Sequence, residues 1–124
     1  MMADEARIRA LLESATQHKN NGEYEEAERK YKEVLSLDPN NAEAHLGLGL
    51  VYCFTGRFEE SLDELRKAVE LAPNSVEARK NLALTYLMLG MYEEGKAEFL
   101  KLLEIDPDNP EAKKHLRFLE AQGI

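Results

Sequence analysis

The chain has 124 residues, of which 44% are apolar and 32% are charged, with a net charge of −8 and no tryptophan. This balance is typical of one folded, helix-rich domain and excludes a disordered chain. The negative charge opposes binding to nucleic acid or to an anionic membrane surface, because phosphate groups would be repelled.

No stretch of the sequence predicts a membrane span or a secretory signal. The longest nearly apolar run, HLGLGLVYCF, has ten residues, whereas a span requires about 20. The first ten residues, MMADEARIRA, contain no apolar core and no cleavage-type site. Cys53 is the one cysteine, which forbids an internal disulfide and suits a reducing compartment. We therefore expect a cytoplasmic protein with no membrane insertion.

The predicted elements follow one another in three similar units, each with a first helix, a glycine, a second helix and a proline. The glycine ends the first helix by adopting the left-handed conformation, and the proline ends the second helix because it lacks an N–H. Equivalent positions recur 34 residues apart, namely Gly22, Gly56 and Gly90; Tyr24, Phe58 and Tyr92; and Pro39, Pro73 and Pro107. Such a period is typical of stacked units that are too small to bury an apolar face alone.

In chain order, the three units cover residues 8–41, 42–75 and 76–109, and a lone helix is predicted at 110–122. The second helices are predicted at 24–37, 58–71 and 92–105, and they carry −6 of the net charge of −8. The first helix of the second unit is predicted at 42–55 from the spacing of Leu48, Val51 and Tyr52 at i, i+3 and i+4. The lone helix is expected to cover the end of the third unit.

The repeated columns resemble the tetratricopeptide repeat, a family whose 34-residue pattern combines a bulky residue, Leu-Gly or Leu-Ala, Tyr, Ala, an aromatic residue and Pro. Arg79 and Gly95 depart from the pattern, and we expect them to loosen local packing. The match is carried in the first unit by Leu11, Ser14, Ala15, His18, Ala27, Tyr31, Val34 and Pro39, in the second by His45, Leu48, Gly49, Tyr52, Ser61, Leu65, Ala68 and Pro73, and in the third by Arg79, Leu82, Ala83, Tyr86, Gly95, Phe99 and Pro107.

This resemblance implies an all-α fold, a right-handed superhelical solenoid of three repeats and a capping helix, forming one domain over residues 1–124. It also implies that the first helices line a concave groove that binds peptides or helices of other proteins. One subgroup of the family binds a chaperone C-terminal carboxylate through Lys, Asn and Arg side chains. The positions that match that clamp hold no cation here, so we do not expect this ligand; they are Leu12, Thr16, Gly47, Glu77 and Asn81.

The groove that the resemblance implies is unusually apolar, and contiguous apolar patches mark interaction sites. We predict that it holds an amphipathic helix or a short apolar segment of a partner. Two alternatives stay open: the same side chains fill the core, or they mediate self-association or occlusion of the groove by the chain itself. The predicted groove residues are Leu12, Thr16, Leu46, Leu50, Phe54, Lys80, Leu84, Met88 and Phe118.

Nothing in the sequence predicts catalysis, a metal site or a cofactor. His18, His45 and His115 fall at different phases of the repeat, so they do not converge by symmetry. Cys53 has no basic neighbour that would lower the pKa of a thiol. We therefore expect a binding or scaffold module and no enzyme. The alternative is a self-associating structural scaffold, which Phe118, Leu119 and Ile124 near the end of the chain favour.

Overall fold

The computed structural model describes the backbone of residues 2–124 and the side chains of residues 4–124. Met1, which the predicted domain includes, lies outside the described residues. The described part is an all-α helical-repeat solenoid without strands, as predicted. Its seven helices are α1 (Met2–Asn20), α2 (Tyr24–Leu37), α3 (Ala42–Phe54), α4 (Phe58–Leu71), α5 (Val76–Met88), α6 (Tyr92–Ile105) and α7 (Pro110–Ala121).

The helix bounds follow the prediction closely. Helices α2, α4 and α6 begin and end at the predicted residues, and α3 and α7 end one residue before the prediction. Helix α1 begins at Met2, ahead of the first predicted unit, and the side chains of residues 4–7 are exposed. None of the helices in residues 2–124 has the length and the apolar character needed to cross a bilayer.

The recurring turns explain why the same unreactive residues return in each unit. After each first helix a glycine takes a positive φ, 78° at Gly22 and 76° at Gly56, which a side chain would oppose. After each second helix a polar side chain caps the next helix: the side-chain oxygens of Asn41, Ser75 and Asn109 accept hydrogen bonds from backbone N–H groups three residues later. These residues therefore set the helix ends.

Each first helix packs against its own second helix, and α3 and α5 also pack against the second helix of the preceding unit. The close crossing within the second unit requires Gly49, because a Cβ there would lie 2.8 Å from Leu65. Ser61 donates a 2.7 Å hydrogen bond to the Gly49 carbonyl across the same crossing. Glycine at this position therefore allows two helix backbones to approach closely.

Arg79 and Gly95 do not loosen the third unit, which corrects the expectation from sequence. Arg79 is buried; its guanidinium donates to Glu98 at 2.7 Å and to the Pro73 carbonyl at 2.9 Å. The space beside Gly95 is filled by Leu87, whose Cδ2 would lie 2.6 Å from an added Cβ. In both cases the neighbouring helix compensates for the departure from the repeat pattern.

Helix α7 covers the end of the third unit with its apolar face, as predicted. Ala112, Leu116 and Leu119 are buried, and the ring of His115 stacks on Phe99 with centroids 5.0 Å apart. Burial, assisted by the charge of Lys114, lowers the pKa of His115 from its ordinary value. Because Leu119 is buried, it cannot contact a second copy of the chain. One of the three residues that favoured self-association is therefore removed from that argument.

Candidate functional site

The first helices lie on the inner side of the curved stack. Among the described residues, α1 contacts α3 and α3 contacts α5 directly, while the second helices make no comparable contact with one another. A stack whose first helices approach more closely than its second helices curves toward the first helices. The surface formed by α1, α3, α5 and α7 on that side is called the groove below.

The predicted groove residues divide into three groups by exposure. Phe54, Met88 and Phe118, on α3, α5 and α7, are 57–60% exposed. Thr16, Leu46, Lys80 and Leu84 are half-buried. Leu12 and Leu50 are only 4% and 8% exposed.

The burial of Leu12 and Leu50 corrects the expectation that the whole predicted set is exposed. Leu12 belongs to a core cluster that includes Ala44 and Leu48 of α3. The reason is the direct contact between neighbouring first helices, which covers side chains at the margin of the groove. Core filling, one of the alternatives from sequence, therefore applies to these two leucines. Contact of the other seven residues with a partner stays a prediction.

Tyr31 of α2 is buried beneath the groove surface, and this role was not predicted from the sequence. Its ring, on α2, lies against the backbone of Gly47 on α3, where an added Cβ would overlap the ring. The Tyr31 hydroxyl shares a 3.1 Å hydrogen bond with the Thr16 hydroxyl of α1. The signal in the sequence was Gly47 itself, since glycine inside a helix marks a close approach by a neighbour.

Charged side chains along the groove are mixed in sign. Glu43 and Glu77 lie in the first turns of α3 and α5, and both are exposed. Lys80 lies 3.6 Å from Glu111 of α7, so its charge is partly compensated. Burial raises the pKa of the Tyr31 hydroxyl, the Thr16 hydrogen bond opposes this, and the carboxylates of Glu43 and Glu77 raise that pKa further.

The five positions that match the carboxylate clamp offer no cation to a ligand. Leu12 is buried, Thr16 binds Tyr31, and Gly47 lies beneath the Tyr31 ring. Glu77 is anionic, and the Asn81 side chain donates to the Glu77 backbone carbonyl at 2.8 Å. These positions present one negative charge and neutral groups, which an incoming carboxylate would not favour.

The titratable residues of the first helices take part in packing contacts. His45 is buried, with Nδ1 2.6 Å from a carboxylate oxygen of Glu64 and Nε2 donating to the Pro39 carbonyl at 2.8 Å. This is the same position in the repeat as Arg79, and it makes the same two contacts. The Cys53 sulfur lies 3.0 Å from the Ser61 hydroxyl. Within residues 4–124, no three His, Cys, Asp or Glu side chains lie close enough to hold a metal ion.

Two family models match the chain. One, described as a tetratricopeptide repeat, matches residues 56–117, and the other, described as a TPR repeat, matches residues 18–53. No curated protein matches the sequence significantly.

Solved structures that are similar to the chain show the same fold. The first TPR of Spaghetti (RPAP3), bound to the HSP90 peptide SRMEEVD, is 24% identical with a TM-score of 0.87, over 93% of this chain and 91% of that one. MamA is 24% identical with a TM-score of 0.89, over 98% of this chain and 72% of that one.

An enzyme contains a similar segment within a longer chain. The O-GlcNAc transferase of Thermobaculum terrenum is 33% identical with a TM-score of 0.84, and the match covers 91% of this chain and 22% of the transferase. The similarity therefore concerns a helical-repeat region. Together with the repeat columns and the stacked helix pairs, the two family matches place this chain in the tetratricopeptide repeat family.

Proposed function

We propose that the chain is a protein-interaction module that holds an amphipathic helix or a short apolar segment of another protein in the groove. The observation that supports this most is the exposure of Phe54, Met88 and Phe118, which lie on α3, α5 and the capping helix α7. Leu46 and Leu84, half-buried on α3 and α5, add apolar surface between them. Exposed apolar side chains on adjacent elements commonly mark interaction sites, and a groove of this kind suits a helix with apolar anchors on one face.

Peptide binding by structural neighbours supports the general function but not the same ligand. The first TPR of Spaghetti (RPAP3) is bound to the HSP90 peptide SRMEEVD, and the second TPR domain of human RPAP3 is in complex with the HSP70 peptide SGPTIEEVD. Both peptides are acidic at their C-terminal ends. In this chain the clamp positions carry no cation, and Glu77 would repel such a ligand. We therefore propose an internal apolar segment as the ligand.

The expected affinity is moderate. Burial of three large apolar side chains contributes roughly 5–9 kcal/mol before ordering costs are subtracted. The loss of translational and side-chain freedom on binding removes several of these kcal/mol. The result is a dissociation constant of about one micromolar or weaker. This strength suits a reversible contact, in which charges along the groove set orientation more than affinity.

Met88→Glu is expected to weaken binding at least about tenfold, because a glutamate would have to lose its hydration against the apolar face of the ligand. The probe is a peptide selected on this chain from a library of amphipathic helices with leucines at i, i+3, i+4 and i+7. The matched control is Leu100→Glu, since Leu100 is 49% exposed but lies on the second helix α6.

Both substitutions replace an exposed apolar side chain by glutamate, so neither should change helicity measured by circular dichroism. The proposal predicts that Met88→Glu weakens binding measured by fluorescence anisotropy and that Leu100→Glu does not. Equal affinities for the two variants would contradict it. Glutamate at Leu50 would be a poor test, because Leu50 is buried and the change would disturb folding.

The alternative function is self-association through the groove or the end of α7. The exposed ring of Phe118 favours it, whereas Leu119 is buried and the Ile124 carbonyl accepts a 2.9 Å hydrogen bond from Lys96. Sedimentation at several concentrations separates the two functions. A monomer at every concentration would exclude self-association, and a concentration-dependent dimer abolished by Phe118→Glu would favour it over the partner-binding groove.

A further inference from the structure

Two unpaired carboxylates lie at one margin of the groove. Glu43 and Glu77 lie 34 residues apart in the chain, at equivalent positions in the first turns of α3 and α5. Both side chains are exposed, and neither forms an ion pair with any residue in the described part of the chain. Two carboxylates on neighbouring helices repel each other and attract cations. A cation that binds between or beside them therefore lowers the electrostatic energy.

The same margin borders apolar and hydroxyl groups of the groove. Glu43 lines a shallow depression together with Leu12 and Thr16. The Thr16 hydroxyl in turn shares a 3.1 Å hydrogen bond with the Tyr31 hydroxyl. The acidic margin is therefore continuous with the surface that is proposed to hold apolar side chains.

The cations near this margin do not neutralise it. Lys80 is directed to Glu111 of α7, 3.6 Å away. Arg9 lines the depression at the end that belongs to α1, but Glu13 lines it too. Lys114 lies beyond the third unit, on the capping helix. The middle of the groove, between α3 and α5, is left with a net negative margin, and the whole chain carries −8.

We propose that the partner segment is cationic as well as apolar: its apolar face enters the groove, and one or two Lys or Arg side chains lie opposite Glu43 and Glu77. This inference rests on the proposed function and specifies its ligand. An ammonium or guanidinium group would donate charge-assisted hydrogen bonds to the two carboxylates. The long methylene stems of Lys and Arg would cover the apolar surface beside them. The preferred ligand therefore has the opposite charge to the acidic C-terminal peptides that similar structures bind.

The test is a selection from the amphipathic library described above, with the positions between the leucines randomised among Lys, Glu, Gln and Ala. Peptides enriched on the unmodified chain are expected to contain more Lys than Glu. The affinity of the best peptide is then measured for Glu43→Gln/Glu77→Gln, which removes both charges without changing side-chain size. We expect a loss of roughly fivefold, since exposed ion pairs are individually weak, and we expect the loss to shrink as salt is added.

The matched control is Glu59→Gln/Glu93→Gln. These glutamates also lie in first turns, 34 residues apart, but on the second helices α4 and α6. The control has the same net charge as the test variant, so it separates a local contact from general attraction by an acidic protein. Equal losses for the two double variants would overturn the inference.

The outcomes distinguish this inference from the proposed function. If the selected peptides are neutral or acidic and Met88→Glu weakens their binding, the proposal of a cationic ligand is wrong, but the proposal of binding in the groove stands. If the unmodified chain enriches no peptides beyond those that the Met88→Glu variant enriches, both proposals are wrong. The inference would be established by two results together. The selected peptides must be rich in lysine, and they must bind Glu43→Gln/Glu77→Gln more weakly than Glu59→Gln/Glu93→Gln.

Discussion

Replacing Tyr31 by alanine should lower the free energy of unfolding by about 3–5 kcal/mol, as expected for removal of a buried aromatic ring. The ring is 1% exposed and lies between the first two units, against Gly47, with its hydroxyl bound to Thr16. Its loss would leave a cavity at a contact that joins one unit to the next. Urea denaturation followed by circular dichroism measures the change, and a loss below about 1 kcal/mol would contradict the packing described.

A double-mutant cycle tests whether ring and glycine are matched in size. Gly47→Ala alone should destabilise by about 1–3 kcal/mol, because its Cβ would overlap the Tyr31 ring. In the Tyr31→Ala background the same change should stabilise by about 0.5–1 kcal/mol, since alanine favours a helix over glycine and the overlap is gone. The sign of the effect should therefore reverse. Equal effects in both backgrounds would show that the two residues are not coupled.

Arg79→Met should destabilise the fold by roughly 3–5 kcal/mol, because it leaves the carboxylate of Glu98 buried without its partner. The side chains of Arg79 and Glu98 are 10% and 13% exposed, and they form an ion pair of 2.7 Å. The Pro73 carbonyl would lose a donor as well. Thermal and urea unfolding of the variant measure the loss.

The control for this prediction removes both charges. Arg79→Met/Glu98→Leu should recover most of the lost stability, since a buried ion pair replaced by apolar side chains is often close to neutral. If the double variant is as unstable as Arg79→Met, the loss comes from the packing of the Arg79 side chain and the explanation by an unpaired charge is wrong.

The sequence determines the helix ends because they depend on local chemistry. The positive φ at the turn glycines and the side-chain caps at the starts of α3, α5 and α7 involve only neighbours in the chain. The consequences of Arg79 and Gly95 were predicted wrongly for the opposite reason. Arg79 finds its partner 19 residues further along the chain, and Leu87 of α5 fills the space beside Gly95 on α6. The repeat pattern describes each position separately, so it does not predict that a residue on a neighbouring helix will pack against an unusual residue.

The candidate site was less predictable than the fold. The family resemblance implies which positions of a first helix line the groove, but it does not tell how closely the next helix approaches. Contact between α1 and α3 buries Leu12, whereas Phe54 at the end of α3 stays exposed. The packing of Tyr31 beneath the groove was not predicted, because Tyr31 lies on a second helix and approaches α3 only where Gly47 lacks a side chain.

The partner is proposed to bind to α3, α5 and α7 and not to the outer helices α2, α4 and α6. The most direct measurement is amide chemical-shift mapping of the chain titrated with the peptide selected on it. We expect the largest shifts on α3, α5 and α7, around Phe54, Leu84 and Phe118. Shifts concentrated on α4 and α6, with Leu100 affected and these three residues unchanged, would contradict it.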